Sequence, residues 1–396
     1  MIKRIYIVLI TIYISVCTIS GLKLNPKKIY DEGRLSFSAI GASYGYPVEE
    51  LDVVTEDGFI LKIFHIAGDK RRPVLLLHGF IDCADTFIIR GNKSLAITLA
   101  NNGYDVWALN ARGTRYSRNH IHLNPDIDLK FWDFSFHEMG YYDLPAAIDF
   151  VLERTTERQL SAIGHSQGNT LFYVLGSTRP EYNDKIKVMI ALAPVCFLNY
   201  VNPPVSSLIA TIPIIGNVLR SVKTEELFSD NSLLRHLFQM LCTQREIGYQ
   251  ICGHGLLFAL GGSDPDELEP EFLPIVVAHY PTSTSRKNGV HVGQVGLTKK
   301  FVQFDYGPLK NVAIYNAISP PNYDLRKVKM KIALLLGRND GISTIEDAEL
   351  LRNELFNVVD YLVLPYKNLN HIDLVWGQNM DKYLFPYIFS ILETYK

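Results

Sequence analysis

The chain has 396 residues, 47% of them hydrophobic, and a formal net charge of −2 at pH 7. This length is enough for one large domain with an insertion. The near-neutral charge argues against a nucleic-acid partner and against strong electrostatic steering.

The amino terminus has the pattern of a secretory signal. Lys3 and Arg4 form a basic start, residues 5–16 are apolar, and Thr18, Ile19 and Ser20 make a small-residue cleavage site. The apolar run is short for a membrane span, so an uncleaved anchor is the weaker alternative. We predict a signal peptide over residues 1–20 and a mature chain over 21–396 that enters the secretory pathway.

The first informative strand is apolar and ends in a His-Gly loop. Residues 72–77 lead into His78, Gly79 and Phe80. A plain turn at the end of a strand is the simpler interpretation of this loop. Further along, Asn92-Lys93-Ser94 is a glycosylation sequon, which predicts a glycan on Asn92 at the surface.

The pentapeptide Gly164-His165-Ser166-Gln167-Gly168 follows an apolar run and precedes another. This order predicts a strand, a very tight turn and a helix. The turn strains the backbone at Ser166, and the glycines on either side leave room for it. An ordinary glycine-rich turn is the alternative, but the context favours Ser166 as an exposed nucleophile.

The alternation of strands and helices stops after residue 195. From about 197 to 308 the sequence is helix-like with apolar patches, which predicts a largely helical cap insertion. Most patches are expected to form the core of this insertion, and some to line an apolar tunnel or an exposed docking face.

Four cysteines remain after the predicted signal peptide. Cys242 and Cys252 are close in the cap sequence, which favours a disulfide in an oxidising compartment. Cys83 and Cys196 each follow a predicted strand. Free thiols and a bond between the two both remain open for them.

Two later loops supply partners for a serine. The apolar run 330–336 leads to Asp340, and a last strand at 358–365 leads through a short polar loop to His371. Asp360 and Asp373 are rival acids, but Asp360 falls inside a strand and Asp373 follows the histidine. A histidine base and a carboxylate activate a serine hydroxyl, and the order Ser, Asp, His suits this type of turn. We therefore predict a triad of Ser166, Asp340 and His371.

An oxyanion also needs hydrogen-bond donors. The His-Gly loop and the residue after the serine supply them in folds with this turn, so the backbone N–H groups of Phe80 and Gln167 are the predicted oxyanion hole.

These motifs together resemble the acid lipase family of α/β hydrolases, which includes gastric and lysosomal acid lipases and insect relatives. The match includes Leu77-His78-Gly79-Phe80, the Ser166 pentapeptide and the final His371-Ile372-Asp373. In full, the matching segments are residues 45–50, 55–61, 77–80, 103–107, 110–113, 116–120, 131–135, 140–146, 164–168, 193–195 and 371–377.

The resemblance implies an α/β-hydrolase fold, with a mostly parallel sheet, helices on both faces and the cap insertion. It implies a secreted or lysosomal lipase that hydrolyses acylglycerols or sterol esters at a lipid–water interface. Neither metal, organic cofactor nor obligate protein partner is expected. A carboxylesterase for soluble short-chain esters and a non-catalytic lipid-binding protein are the alternatives. The retained triad argues against the second.

Overall fold

The apolar runs of the sequence form the strands of one large sheet in the computed structural model, which describes residues 34–396. The predicted signal peptide at residues 1–20 lies outside the described residues. Residues 36–396 make up a single unit of the fold.

Nine strands form the main sheet within the described part of the chain. The strands are β1 Val48–Val54, β2 Phe59–Ile66, β3 Asp69–Leu77, β4 Tyr104–Leu109, β5 Asn119–His120, β6 Leu160–His165, β7 Ile186–Leu192, β10 Ile332–Leu336 and β11 Val358–Val363. The spatial order is β1-β2-β4-β3-β6-β7-β10-β11, with the short β5 paired to β2. The first two pairings are antiparallel and those from β4 to β11 are parallel.

The parallel strands are apolar throughout because both faces of the sheet are covered. Alternate residues enter two separate cores: Leu76 packs on one face and Leu77 on the other. Helices Leu95–Asn101 and Phe385–Thr394 cover the first face, and helix Leu144–Thr155 covers the second. The sequence prediction of a mostly parallel sheet with helices on both faces is confirmed.

The helices outside the segment between β7 and β10 are short. They are Phe37–Ser43, Leu95–Asn101, Phe136–Glu138, Leu144–Thr155, Gln167–Thr178, Ile345–Glu354, Asp373–Trp376, Met380–Tyr383 and Phe385–Thr394. Single turns of 3₁₀ or π helix lie at Ala84–Phe87, Gly91–Lys93, Leu129–Trp132, Met139–Asp143 and Pro180–Lys185.

The segment between β7 and β10, residues 193–331, is hereafter called the insert. It is mainly helical, and its two short strands, β8 Glu226–Leu227 and β9 Thr284–Ser285, pair antiparallel. Its helical segments are Val205–Ser221, Leu233–Cys242, Arg245–Gly248, Tyr249–Phe258, Ala259–Gly261, Leu273–His279, Arg286–Thr298, Pro308–Tyr315 and Leu325–Lys327. Among the residues described, no helix combines the length and apolarity of a membrane span.

A disulfide joins Cys242 to Cys252 within the insert, as predicted, and their Cα atoms are 5.6 Å apart. The alternatives left open for Cys83 and Cys196 are also resolved, because both are free and buried. Burial raises the pKa of both thiols well above the ordinary value, so neither is a reactive thiolate.

Candidate active site

Ser166 lies between β6 and helix Gln167–Thr178, at the carboxyl edge of the sheet. Its backbone has φ 53° and ψ −120°, a conformation that L-residues rarely adopt. The flanking glycines make the turn feasible. A Cβ at Gly164 would overlap the Asn169 side chain, and one at Gly168 would overlap the Leu77 carbonyl oxygen. The strand–turn–helix predicted from the sequence is present. The expectation that Ser166 is exposed is wrong, because the residue is 8% exposed and lies in the wall of a cavity to which the insert contributes.

His371 and Asp340 reach Ser166 from the loops after β11 and β10. Ser166 Oγ lies 2.8 Å from His371 Nε2, while His371 Nδ1 is 3.0 and 2.9 Å from the two Asp340 oxygens. The carboxylate accepts the Nδ1 proton, which leaves Nε2 free to accept the serine hydroxyl proton. Asp340 is itself held, because its Oδ1 accepts the N–H groups of Ile342 and Ser343 at 2.8 and 2.7 Å.

The rival acids do not reach this histidine. Asp360 lies within β11, as predicted, and Asp373 opens helix Asp373–Trp376. Asp373 accepts the backbone N–H of Asn370 at 2.9 Å. The hydrogen bonds to the His371 ring therefore single out Asp340 as its carboxylate partner.

Two further residues hold the histidine loop. The Gly261 carbonyl oxygen, in the insert, accepts the backbone N–H groups of His371 at 3.0 Å and Gly341 at 3.2 Å. His165 Nε2 lies 2.9 Å from the His371 carbonyl oxygen. Burial lowers the pKa of His165 to about 3, so its ring is neutral and donates one N–H there. The sequence analysis gave neither residue this role, since His165 is a variable position of the pentapeptide and Gly261 lies in no motif.

The His-Gly loop after β3 lies directly beside the serine. A Cβ on Gly79 would come within 3.1 Å of the Ser166 Cβ, so the absence of a side chain permits the approach. His78 fixes the loop: its Nδ1 is 2.9 Å from the Gly79 carbonyl oxygen, and its Nε2 accepts the Ala111 N–H at 3.1 Å. Phe80, next in the chain, lines the same cavity as Ser166.

Gln167 begins the helix that follows Ser166, where backbone N–H groups have no partner within the helix. Its side chain is engaged in a reciprocal pair with Asn288 of the insert, at 3.1 and 3.2 Å. This pair ties the start of the helix to helix Arg286–Thr298.

Ser166 and His371 open into a cavity of about 270 Å³ lined mainly by apolar side chains. Both the sheet edge and the insert contribute to its walls. The apolar lining comprises Phe136, Val195, Leu198, Val205, Leu208, Ile209, Ile212, Leu257, Leu260, Val292, Val295, Phe301, Ile342, Ile372, Val375 and Trp376. An apolar wall next to a nucleophile suits a hydrocarbon chain.

Among residues 34–396, one carboxyl group lines this cavity. Asp82 is buried, and its Oδ1 accepts the Cys83 N–H at 2.8 Å. Burial is the main cause that raises the pKa of Asp82 to about 7. Within the described residues, no group of three metal-ligating side chains is found.

The sheet topology, with a serine, a histidine and an aspartate hydrogen-bonded at its carboxyl edge, defines an α/β hydrolase of the serine ester hydrolase class. Two family models match the chain. The partial alpha/beta-hydrolase lipase region matches residues 37–91, and the alpha/beta hydrolase fold matches residues 72–231.

Several curated proteins are similar over nearly the whole chain. Lipase 1 of Drosophila melanogaster is 37% identical over 371 residues, covering 93% of this chain and 82% of that protein. Lipase member K of Homo sapiens is 33% identical, covering 95% of this chain and 94% of that protein. Gastric triacylglycerol lipase of Bos taurus is 33% identical, covering 95% of this chain and 94% of that protein. The chain belongs to the acid lipase family of α/β hydrolases and is a serine ester hydrolase.

Solved structures agree on the fold. A monoglyceride lipase from Saccharomyces cerevisiae superposes with a TM-score of 0.51 at 14% identity, covering 89% of this chain and 99% of that one. An esterase from Thermogutta terrifontis superposes with a TM-score of 0.53 at 14% identity, covering 88% of this chain and 99% of that one. The family membership predicted from sequence motifs is confirmed, and with it the interpretation as an enzyme.

Proposed function

We propose that this protein is a lipase that hydrolyses the carboxylic ester bonds of neutral lipids, acylglycerols or sterol esters, through an acyl-enzyme. The observation that supports this most directly is the 2.8 Å contact between Ser166 Oγ and His371 Nε2 at the wall of an apolar cavity. A relative named a gastric triacylglycerol lipase supports the same substrate class.

In the first half of the proposed reaction Ser166 Oγ forms a bond to the ester carbonyl carbon, and its proton passes to His371 Nε2. The carbonyl π electrons move to the oxygen. Asp340 orients the imidazole and stabilises its charged form. When the tetrahedral intermediate collapses, the bond to the alcohol oxygen breaks, and His371 protonates the leaving alcohol.

In the second half a water molecule gives a proton to His371 and its oxygen forms a bond to the acyl carbon. When this second tetrahedral intermediate collapses, the bond to Ser166 Oγ breaks, Oγ takes the proton back from His371, and the fatty acid is released. The backbone N–H groups of Phe80 and Gln167 are the proposed donors to the oxyanion in both halves. In sites of this kind the loss of one donor costs on the order of 3 kcal/mol of transition-state stabilisation.

We also propose that residues 197–308 of the insert act as a cap that governs access to Ser166. Leu208 supports this role, because it lines the cavity and is also 48% exposed. Other apolar side chains of helix Val205–Ser221 and the following turn are exposed as well, namely Ile214, Ile215, Val218 and Val222. Such a surface favours contact with a lipid interface.

A substrate panel tests the proposed substrate class. Hydrolysis of emulsified triacylglycerol and sterol ester is compared with that of a soluble short-chain ester at several pH values. A higher specificity constant for the emulsified neutral lipids supports a lipase. Exclusive turnover of the soluble ester, with no rise when it passes its solubility limit and forms droplets, would favour a carboxylesterase instead.

We propose that the protein passes through the secretory pathway to the lysosome or the cell exterior. The Cys242–Cys252 disulfide and the signal-like residues 1–20 favour an oxidising compartment. Asn92 of the sequon is exposed, as a glycan acceptor must be. Treatment of the expressed protein with a glycosidase should increase its gel mobility, and Asn92→Gln should remove that shift.

A further inference from the structure

A pair of buried carboxyl groups joins the insert to the loop that holds His371. Asp264, in the insert, is 0% exposed, and Asp373 is 1% exposed. The two carboxyl groups lie within hydrogen-bonding distance of each other. Within the described residues Asp264 Oδ2 and Asp373 Oδ1 have no other hydrogen-bond partner.

The other oxygen of each carboxyl group already accepts a hydrogen bond. Asp264 Oδ1 accepts the Tyr366 hydroxyl at 3.1 Å, and Asp373 Oδ2 accepts the Asn370 N–H at 2.9 Å. Two ionised carboxylates at such close range would repel each other strongly in a buried site. A single proton between the two open oxygens removes the repulsion and supplies the missing donor.

The pair is coupled to His371 through Asn370. The Asn370 Oδ1 accepts the N–H groups of Ile372 and Asp373 at 2.8 and 3.0 Å, while its Nδ2 donates to the Gly262 carbonyl at 3.0 Å. Gly261, next to Gly262, accepts the backbone N–H of His371 at 3.0 Å. A change in the spacing of the two carboxyl groups therefore acts on the backbone on both sides of the histidine.

We propose that Asp264 and Asp373 are positioning residues, and that the proton they share holds the His371 loop against the insert in its reactive geometry. This inference rests on the proposed role of His371 as the base. When the pair loses its proton, the two carboxylates repel each other and the loop separates from residues 261–264. Activity then falls because His371 leaves its reactive position beside Ser166.

The surroundings add negative charge near the pair. Glu267 lies nearby and accepts the N–H of Asn379 at 2.9 Å and the Tyr383 hydroxyl at 2.7 Å. The nearby Arg90 guanidinium donates hydrogen bonds to the Glu269 carboxylate and to the Glu267 carbonyl oxygen rather than to the pair. The Tyr366 hydroxyl donates to Asp264 Oδ1.

Burial, the largest cause, raises the pKa of Asp264, and it raises that of Asp373 well above the ordinary value. A raised carboxyl pKa means that the folded protein binds the proton more tightly than the unfolded chain does. The contribution to stability is complete below the ordinary aspartate pKa and is lost as the pH rises through the raised value.

The test uses isosteric amides. In Asp264→Asn or in Asp373→Asn, one amide N–H replaces the shared proton, so the hydrogen bond no longer depends on pH. In the double variant each amide oxygen stays with its existing donor, and the two NH₂ groups face each other without an acceptor. Asp266→Asn, at an exposed carboxylate two residues from Asp264, is the matched control.

The readouts are kcat on a short soluble ester and the unfolding temperature, both followed against pH. For the wild type and Asp266→Asn, kcat should fall by about tenfold per pH unit above the pKa of the pair. Each single variant should remain within about twofold of its low-pH kcat over the same range, whereas the double variant should be impaired at every pH.

Single variants that keep the wild-type pH profile, or a double variant as active as either single one, would overturn the proposal. The unfolding temperature separates this failure from failure of the proposed function. Its fall with rising pH should be smaller in the single variants than in the wild type, even if Ser166 and His371 take no part in ester hydrolysis.

Discussion

At the scale of single residues, the site depends on backbone conformations that few residues allow. Ser166 adopts a positive φ of 53°, which lifts its hydroxyl off the sheet toward His371. The flanking glycines are needed because side chains there would meet the Asn169 side chain and the Leu77 carbonyl. These requirements are local, which is why a five-residue pattern was enough to predict the turn and its serine.

The role of Asp340 is open to a direct test. Asp340→Asn should fold but lose about 10⁴-fold in kcat, because the amide favours the wrong imidazole tautomer. Asp360→Asn is the matched control, since Asp360 lies within β11 while the His371 ring is hydrogen-bonded to Asp340. A large loss in the Asp360 variant together with full activity of Asp340→Asn would show that the acid is misassigned.

Asp82 should make the use of long acyl chains depend on pH. Its pKa of about 7 leaves the cavity wall neutral in acid and charged above that value, where it repels an apolar chain. The wild-type KM for long-chain esters should therefore rise as the pH passes through about 7.

Asp82→Asn should flatten this rise, because Asn keeps the acceptor for the Cys83 N–H without titrating. A short-chain ester that does not extend to Asp82 is the internal control, and its KM should change little in either protein. Equal pH dependence of the long-chain KM in the wild type and in Asp82→Asn would rule out this role.

At the scale of elements, four separate segments converge at the carboxyl ends of β3, β6, β10 and β11. Parallel strands bring their following loops to the same edge, so residues far apart in sequence become neighbours. The insert then closes this edge with contacts such as Gly261 to His371 and Asn288 to Gln167. Its exposed apolar helix, Val205–Ser221, extends from the cavity wall into solvent.

Helix Val205–Ser221 should affect the rate of hydrolysis of emulsified esters but not that of dissolved esters. Ile214 is 67% exposed, and Ile214→Ser should lower the rate on droplets severalfold because it removes apolar area from the docking surface. Turnover of a monomeric soluble ester should be unchanged.

The matched control is Phe356→Ser. Phe356 is 72% exposed but lies just before β11, at the opposite edge of the sheet from Ser166. A droplet rate that falls equally in both variants, or in neither, would count against a docking face on this helix.

At the scale of the whole molecule, the sequence predicted what is local and missed what depends on packing. The apolar runs predicted the strands, and the loops after them predicted Ser166, Asp340 and His371. Whether Cys83 and Cys196 bond to each other could not be predicted from the sequence, because their separation depends on how the strands are arranged. The Asp264–Asp373 pair could not be predicted either, since it forms only when the insert packs against the loop after β11.

The most direct test of the central claim is labelling by an active-site serine phosphonate, combined with an assay of ester hydrolysis. The wild type should be labelled at Ser166 by stoichiometric reaction and lose its activity in parallel. Ser166→Ala should resist the probe and lose roughly 10⁶-fold in kcat. It should still unfold near the wild-type temperature, because the hydroxyl lies at the cavity wall and its removal costs one hydrogen bond, to His371. Labelling at another serine, or continued turnover by well-folded Ser166→Ala, would contradict the account.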